Sequence, residues 1–179
     1  MKAALAVALL VGVASAEPVA IPNSKALFDV PKTWTRQPDD PALVGMWKRG
    51  TSILAVTRAQ VPNLGAWIKA SREAYVAEVE RGAIGAVAGT KKLARTVADI
   101  QGVPTLDLEL RRPDGTQLVI RYLLFRSYAL AVTIEVAKGG SLDEARAIAK
   151  TLTAPRPNLR GRSSPYRRAP RAPINKRTL

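Results

Sequence analysis

The sequence predicts an α+β domain in which an antiparallel β-sheet carries a helix on each face, an α/β/α sandwich. Two observations predict this class. The run 116–136 contains two successive strands with apolar residues on both faces, and such a sheet is normally covered on both sides. The segments 64–82 and 141–152 have the apolar spacing of helices and supply the two covers. A chain of 179 residues, 47% of them hydrophobic, is long enough for one such domain.

Residues 1–16 have the pattern of a secretory signal peptide. Lys2 precedes a short apolar run, and the small residues Ala14 and Ala16 stand where a signal peptidase needs them. The apolar run is shorter than the roughly 20 residues that span a bilayer. We therefore expect the mature chain to start at Glu17 and to reside in the periplasm or outside the cell. Because no cysteine follows the leader, we expect no lipid anchor.

Histidine and cysteine are both absent from the chain. Their absence excludes a disulfide scaffold, a thiolate nucleophile and catalysis by serine–histidine or cysteine–histidine pairs. It also removes the commonest ligands of transition metals. An enzyme built on this chain would depend on carboxylates, Lys, Tyr or Ser. We therefore expect no enzymatic activity, no cofactor and no metal site.

The segment 17–154 is predicted to form a single domain. Residues 26–30 predict a strand that a proline ends. Residues 43–49 and 52–59 then predict a hairpin around a Gly-Thr turn. After the helix over 64–82, a further strand is expected at 93–100. The predicted core-facing stripe of that helix consists of Leu64, Ile68, Tyr75, Val76 and Val79.

The next hairpin has a predictable register. Its first strand, 103–111, alternates apolar and charged side chains, and a Pro-Asp-Gly turn follows. Pairing Leu110 with Leu118 sets apolar residues against each other, whereas a slip by one residue would bring an arginine to the core face. The same register places Asp107 opposite Arg121. We predict a cross-strand ion pair between these two residues.

Large apolar residues alternate in both strands of the run 116–136. They are Leu118, Ile120, Tyr122 and Leu124 in the first strand and Leu130, Val132, Ile134 and Val136 in the second. Matching these two sets on one face of the sheet requires a loop centred on Ser127, and we predict that register. The small Ala129 and Ala131 would then line the other face and let a helix approach closely.

The last helix is expected after Gly139-Gly140. Ser141 and Glu144 have the S-x-x-E spacing of a capping box. The predicted buried stripe of this helix consists of Leu142, Ala145, Ile148, Ala149 and Leu152.

This order of elements resembles the PsbP-like fold, which is shared by an extrinsic subunit of photosystem II, a Ran-binding nuclear import factor and many small bacterial envelope proteins. The matching features lie within about residues 24–154. They are a strand ending in Val30-Pro31-Lys32-Thr33-Trp34, a hairpin through Gly50, a long helix, a hairpin through Asp114-Gly115 and a final helix at Ser141. The family often has Gly before the Trp, where this chain has Thr33. The resemblance implies an α/β/α fold and, since members mostly act as non-enzymatic binding or assembly factors, a binding role.

Aromatic and acidic residues in the domain are candidates for a site. Trp34, Trp47 and Trp67 are candidates for lining a ligand groove, with ordinary core packing as the alternative. Asp39 and Asp40 are candidates for a cation site, but carboxylates in a Pro-flanked loop are usually just exposed.

A second candidate is a group of charged residues on one sheet face, namely Asp107, Glu109, Arg111 and Arg121. We interpret this group as a structural salt-bridge cluster beneath a helix. The two-carboxylate arrangement of a glycosidase is not predicted.

Residues 155–179 are predicted to form a disordered basic tail. They contain eight basic residues, five prolines and no acid, a composition that cannot bury enough apolar surface to become ordered. We interpret the tail as a flexible arm for anionic lipid, lipopolysaccharide, wall polymers or another polyanion, with mere solvation as the alternative. With Tyr166 as its one aromatic residue, base-specific recognition of nucleic acid is not expected. The candidate polyanion-binding residues are Arg156, Arg160, Arg162, Arg167, Arg168, Arg171, Lys176 and Arg177.

Taken together, these patterns favour an exported, non-enzymatic binding or assembly module of the bacterial envelope. Its tail would tether it to an anionic surface, and its domain would dock a protein partner or a small ligand. Two alternatives stay open: a hydrolase that works without His or Cys, and a structural envelope protein with a merely solubilising tail. No transmembrane segment is expected after leader cleavage.

Overall fold

A computed structural model describes residues 16–24, 26–60, 64–136 and 139–154, and over 64–70 it describes the backbone alone. The signal peptide predicted for 1–16 lies outside the described residues except for Ala16. The tail predicted for 155–179 lies wholly outside them, so both assignments stay predictions. Within the described ranges, no helix is both long and apolar enough to cross a membrane.

The described elements form one large sheet, one small ribbon and two helices. Their bounds are β1 Ala16–Ala20, β2 Leu27–Pro31, β3 Thr35–Arg36, β4 Gly45–Arg49, β5 Ser52–Gln60, α1 Leu64–Gly85, β6 Lys91–Ile100, β7 Val103–Arg111, β8 Gln117–Leu124, β9 Tyr128–Val136 and α2 Leu142–Thr151. The large sheet is antiparallel, with strand order β3-β4-β5-β9-β8-β7-β6. Strands β1 and β2 pair separately as an antiparallel ribbon.

The two helices pack on opposite faces of the large sheet. Consecutive residues of a strand point to opposite faces, so Val119 and Ile120 of β8 report on the two sides. Ile120 belongs to a buried cluster with Val76 of α1, whereas Val119 belongs to a second cluster with Ile148 of α2. The β1–β2 ribbon lies on the α2 side, since its Phe28 is part of the second cluster. The α/β/α sandwich predicted from the sequence is therefore the observed architecture.

The hairpin of β7 and β8 has the predicted register. Leu110 pairs with Leu118, and Asp107 pairs with Arg121. The predicted ion pair also forms, because Nε and Nη2 of Arg121 donate to the two carboxylate oxygens of Asp107 at 2.7 Å each. The alternation of apolar and charged residues was sufficient to define this register, since a slip would have placed charge in the core.

The register predicted for β8 and β9 is wrong by one residue. Leu124 pairs with Ala129 and Leu123 with Leu130, so the turn has only two residues between its flanking pair, Phe125 and Tyr128. The large residues of the two strands consequently lie on opposite faces. Both faces of this sheet are covered, and either register would bury apolar side chains. The alternation of apolar residues therefore does not define the register of β8 and β9. The short turn, whose flanking aromatic rings stack 4.7 Å apart, defines it.

The long helix differs from the uninterrupted helix predicted over 64–82. It continues to Gly85, and it is kinked at Ser71, whose backbone is extended (φ −163°, ψ 85°). The hydroxyl of Ser71 accepts a hydrogen bond from the N–H of Ala74 at 3.3 Å, in the manner of an N-cap. A serine that caps a new turn competes with the continuous helix, and apolar periodicity does not report this competition.

Helix α2 starts where the capping signal predicted. The Ser141 hydroxyl accepts a hydrogen bond from the N–H of Glu144 at 3.3 Å. The carboxylate of Glu144 forms an ion pair with Arg49 at the end of β4, which ties the start of the helix to the sheet. After the helix, Thr153 bridges to Leu27 of β2 through two backbone hydrogen bonds of 3.3 and 3.0 Å. The last described residues are thus held on the ribbon.

Candidate functional site

The face of the sheet that carries α2 has two concavities among the described residues. One, of about 270 Å³, lies between α2 and strands β6 to β8, and we call it the charged pocket. The other, of about 440 Å³, lies between the β1–β2 ribbon and strands β3 and β4, and we call it the tryptophan groove. The polar residues of the charged pocket are Thr96, Asp107, Glu109, Arg121, Arg146 and Lys150.

Arg121 is the buried centre of the charged pocket. Its side chain is 7% exposed, and it is held on both sides. Two of its nitrogens donate to Asp107, and Nη1 donates to the backbone carbonyl of Lys150 in α2 at 3.2 Å. A bidentate guanidinium–carboxylate pair is among the stronger hydrogen-bonded arrangements in proteins. Arg121 therefore links the sheet to the C-terminal half of α2.

A second ion-paired group lies beside Arg121. Nε and Nη2 of Arg146 donate to the carboxylate of Glu109 at 2.7 and 2.8 Å, and Nη1 donates to Asp143 at 2.7 Å. The hydrogen bonds from Arg146 hold the pKa of Glu109 below its ordinary value despite partial burial. The same bonds raise the pKa of Arg146. Glu109 is therefore ionised at neutral pH, so it is not suited to act as a general acid.

The ion pairs and hydrogen bonds of the charged pocket join α2 to the sheet. This finding confirms the structural interpretation of Asp107, Glu109 and Arg121. Arg111 is not part of the pocket, because it is exposed at the end of β7, opposite Lys91. Arg146 was not among the residues predicted from the sequence, because it flanks the apolar stripe of α2 and reaches Glu109 only when the helix is packed on the sheet.

Replacing Glu109 with glutamine should lower the free energy of unfolding by about 1–2 kcal/mol at pH 7, because an ion-paired hydrogen bond is lost. The pKa of Glu109 is lower in the folded than in the unfolded protein. Its stabilisation is therefore present above the unfolded pKa and disappears as the pH falls through the folded value. The deficit of the variant should shrink from pH 7 to pH 3, measured by urea unfolding.

Asp143→Asn provides the control for this pH series. The Asp143 side chain pairs with the same arginine but is 91% exposed, so its loss should change stability by well under about 1 kcal/mol. A Glu109→Gln deficit that stayed constant from pH 7 to pH 3 would contradict the assignment.

The tryptophan groove is built on Trp47 of β4. The indole lies over Gly45, where an added Cβ would stand 2.6 Å from the ring, so a side chain at that position would displace it. Phe28 of the ribbon packs edge-on against Trp47, with ring centroids 5.4 Å apart. Trp34, which follows β2, forms part of the same wall, and the Arg49 guanidinium stacks over its ring at 5.3 Å. Both tryptophans are buried, with 7% of Trp34 and 5% of Trp47 exposed.

Hydrogen-bond donors outnumber acceptors around this groove. Lys32 and Arg36 are exposed and line it, together with the carboxylate of Glu17. The indole Nε1–H of Trp34 is buried and has no acceptor among the described residues. An unpaired buried donor costs about 1–3 kcal/mol, so this N–H is an unusual feature of the packing around Trp34.

Asp39 and Asp40, the candidates for a cation site, line neither the charged pocket nor the tryptophan groove. The side chain of Trp67 and all eight tail residues lie outside the described residues, so their roles stay predictions. Asp39 forms an exposed ion pair with Arg36, and Asp40 accepts a hydrogen bond from the N–H of Ala42 at 2.8 Å. In the described ranges, no three Asp or Glu residues are grouped to hold a metal ion.

Comparison with known proteins supports the fold. No protein-family model matches this sequence, and a comparison with curated protein sequences finds no match either. The solution structure of cyanobacterial PsbP (CyanoP) from Synechocystis sp. PCC 6803 is similar, with a TM-score of 0.59 and 13% identity over 81% of this chain and 95% of that one. The fold of this chain is therefore PsbP-like, as the order of elements implied.

Two crystal structures show a weaker similarity, with TM-scores below 0.5. One is from Bacteroides thetaiotaomicron, with a TM-score of 0.44 and 14% identity over 73% of this chain and 45% of that one. The other is from Pseudomonas aeruginosa, with a TM-score of 0.43 and 17% identity over 79% of this chain and 98% of that one.

Proposed function

We propose that this protein is an exported, non-enzymatic binding module of the bacterial envelope, held at an anionic lipid surface by its basic tail. The observation that carries the proposal is the uneven distribution of charge. The formal net charge of the chain is +14, and residues 155–179 contribute eight basic residues and no acid to it. The signal-peptide pattern supports export, and the PsbP-like fold supports a binding role by analogy.

The charges of the folded domain are largely compensated by one another. Ten of its fourteen acidic residues form ion pairs with arginine or lysine in the described structure. Helix α1 gives an example, since Glu80 pairs with both Lys92 and Arg95 of β6. The hydrogen bond from Lys92 lowers the pKa of Glu80 and keeps it ionised. Attraction to an anionic surface is therefore expected to come mainly from the tail.

The residues that precede the tail in the sequence are fixed to the domain. The bridge between Thr153 and Leu27 ties the chain to the ribbon immediately before the tail begins. A bound tail would thus hold the domain close to the surface. Each basic residue near an anionic leaflet contributes about 1 kcal/mol to the free energy of membrane binding, so eight of them are enough to hold the protein at the surface. This binding should weaken as the salt concentration rises, because salt screens the charges.

Two variants with equal charge changes test the tether. The tail variant carries Arg167→Gln, Arg168→Gln, Arg171→Gln and Arg177→Gln in the full chain. Loss of these charges should weaken binding to vesicles of phosphatidylglycerol and phosphatidylcholine by up to about three orders of magnitude, at about 1 kcal/mol per residue. Sedimentation of the protein with the vesicles across a salt series measures the effect.

The control variant removes four exposed charges from the domain instead. It carries Lys48→Gln, Lys91→Gln, Arg111→Gln and Arg126→Gln, all at exposed positions outside the ion pairs above. It should retain nearly all of the vesicle binding and its salt dependence. Equal losses in both variants would show that net charge, not the tail, matters. Binding to heparin without binding to the vesicles would replace the lipid surface with a polyanionic polymer and overturn the proposal in this form.

A further inference from the structure

Strand β6 forms one edge of the large sheet, and it is long and exposed. Among the described residues it pairs only with β7, and most of its side chains are exposed. The strand at the opposite edge, β3, has two residues, whereas β6 has ten. Its register with β7 shifts between Lys92 and Ala94 and is regular from there to Ile100. A long regular edge offers a row of backbone groups to another strand, which proteins usually prevent by short edge strands or bulges.

The tight turn after β6 defines which of its backbone groups point outwards. Gln101 and Gly102 have positive φ angles of 55° and 79°, as in the two-residue turns of hairpins. The residues that close such a turn, here Ile100 and Val103, exchange two hydrogen bonds. Every second residue before Ile100 therefore bonds to β7, and the residues between them turn their N–H and C=O groups outwards. These outward-facing residues are Arg95, Val97 and Asp99.

The outward-facing residues form a self-complementary pattern. Arg95 and Asp99 carry opposite charges and lie two positions before and two positions after Val97. Two copies of β6 that pair antiparallel about Val97 therefore set Arg95 of each copy opposite Asp99 of the other. A shift of this register by two residues loses both charge pairs, and a shift by four sets two arginines or two aspartates against each other. Charge therefore selects one register, with a second copy of the same strand as the partner.

The surroundings of β6 leave room for a second copy. Glu73 of α1 pairs with Arg95 at 2.7 Å, and Arg72 pairs with Asp99, but Arg95 and Asp99 stay 30% and 53% exposed and can each take a further partner. Contact between copies would join these pairs into a row of alternating charge. Helix α1 lies nearest to β7 on this face. At about 4.8 Å between neighbouring strands, the two α1 helices would lie about 14 Å apart, beyond the roughly 8–10 Å of packed helices.

We propose that two copies of this protein associate by antiparallel pairing of their β6 strands about Val97, which joins the two large sheets into one. Backbone hydrogen bonds supply most of the contact, and the two Arg95–Asp99 pairs define its register. An interface of one strand pair is small compared with the roughly 1,200–2,000 Å² of stable complexes, so we expect a reversible dimer with a micromolar dissociation constant. This association does not involve the tail and is separate from the tether.

Sedimentation of the full chain in a concentration series at physiological salt measures the association. The unaltered chain should shift from monomer to dimer in the micromolar range. Asp99→Lys places a lysine opposite Arg95 of the other copy, twice per dimer, and should raise the dissociation constant by about tenfold or more. Asp39→Lys is the matched control, because it makes the same change of charge at the opposite edge, where Asp39 pairs with Arg36 of β3. It should leave the dissociation constant nearly unchanged.

Single introduced cysteines test the register, because the chain contains none of its own. Val97→Cys has nearly the same side-chain volume, and its two Cα atoms would lie about 5.5 Å apart, within the range that a disulfide spans. In Ala94→Cys the two Cα atoms would lie about 20 Å apart along the paired strands. Oxidation with copper phenanthroline should therefore yield covalent dimers of Val97→Cys and not of Ala94→Cys. A chain that stays monomeric, equal dimerisation of Asp99→Lys and Asp39→Lys, or equal cross-linking of the two cysteine variants would overturn the proposal.

Discussion

Replacing Phe28 with alanine is expected to lower the free energy of unfolding by about 3–5 kcal/mol, the range for deleting a buried aromatic side chain. Phe28 is completely buried, and its ring packs edge-on against Trp47 at 5.4 Å. It joins the β1–β2 ribbon to the large sheet in the cluster that also contains Ile148 of α2. Its loss would leave a cavity directly beneath the tryptophan groove. Urea unfolding at pH 7, followed by circular dichroism, measures the change.

Leu27→Ala is the matched control for this substitution. Leu27 is the preceding residue of the same strand, but it is 49% exposed, so its truncation should cost less than about 1 kcal/mol. If both variants lost the same stability, the ribbon would not be packed on the sheet as described.

Arg121→Met should lower the free energy of unfolding by about 2–4 kcal/mol. Removing one partner of a buried ion pair typically costs about 3–5 kcal/mol, because the other charge is left without compensation. Here the loss is smaller, since Asp107 is 34% exposed and water screens part of its charge. The backbone carbonyl of Lys150 also loses its donor. Urea unfolding of the full chain measures this loss.

A double-mutant cycle separates the ion pair from simple packing. Asp107→Leu together with Arg121→Met replaces both charges by apolar side chains, and such replacements are often nearly neutral. The double variant should therefore be more stable than Arg121→Met alone. Arg81→Met breaks an ion pair of α1 whose Arg81 side chain is 73% exposed, and it should cost less than about 1 kcal/mol. Strictly additive losses in the cycle would contradict a coupled pair at Arg121.

The predictable parts of the fold are those where a wrong arrangement would have buried a charge or left a cap unused. The β7–β8 register follows from the alternation around Asp107, and the start of α2 follows from Ser141. The β8–β9 register was predicted incorrectly because both faces of β9 are covered. Its large residues pack towards α2, while Ala129 lies in the cluster of Val76 in α1. When both faces are apolar, alternation carries no information about which side is which.

Only some of the residues that line the tryptophan groove could be predicted from the sequence. Trp34 and Trp47 were recognised as candidates for a groove, but their proximity depends on the pairing of β3 with β4, which sets Arg36 opposite Trp47. Glu17 and Val19 were not recognised, because β1 is a short strand whose role depends on pairing with β2. No local periodicity reports that pairing. The unpaired N–H of Trp34 is likewise a property of packing, which no residue pattern encodes.

The sequence by itself determined the fold class, the order of the elements, the β7–β8 register and the concentration of positive charge in 155–179. These features depend on local alternation, capping and composition, each of which acts over a few residues. Only the tertiary structure decided which face each helix covers, that Arg146 joins Glu109, and that a groove lies between Trp34 and Trp47. Those contacts join residues far apart in the chain, and their energies depend on the packing of the whole domain rather than on any single segment.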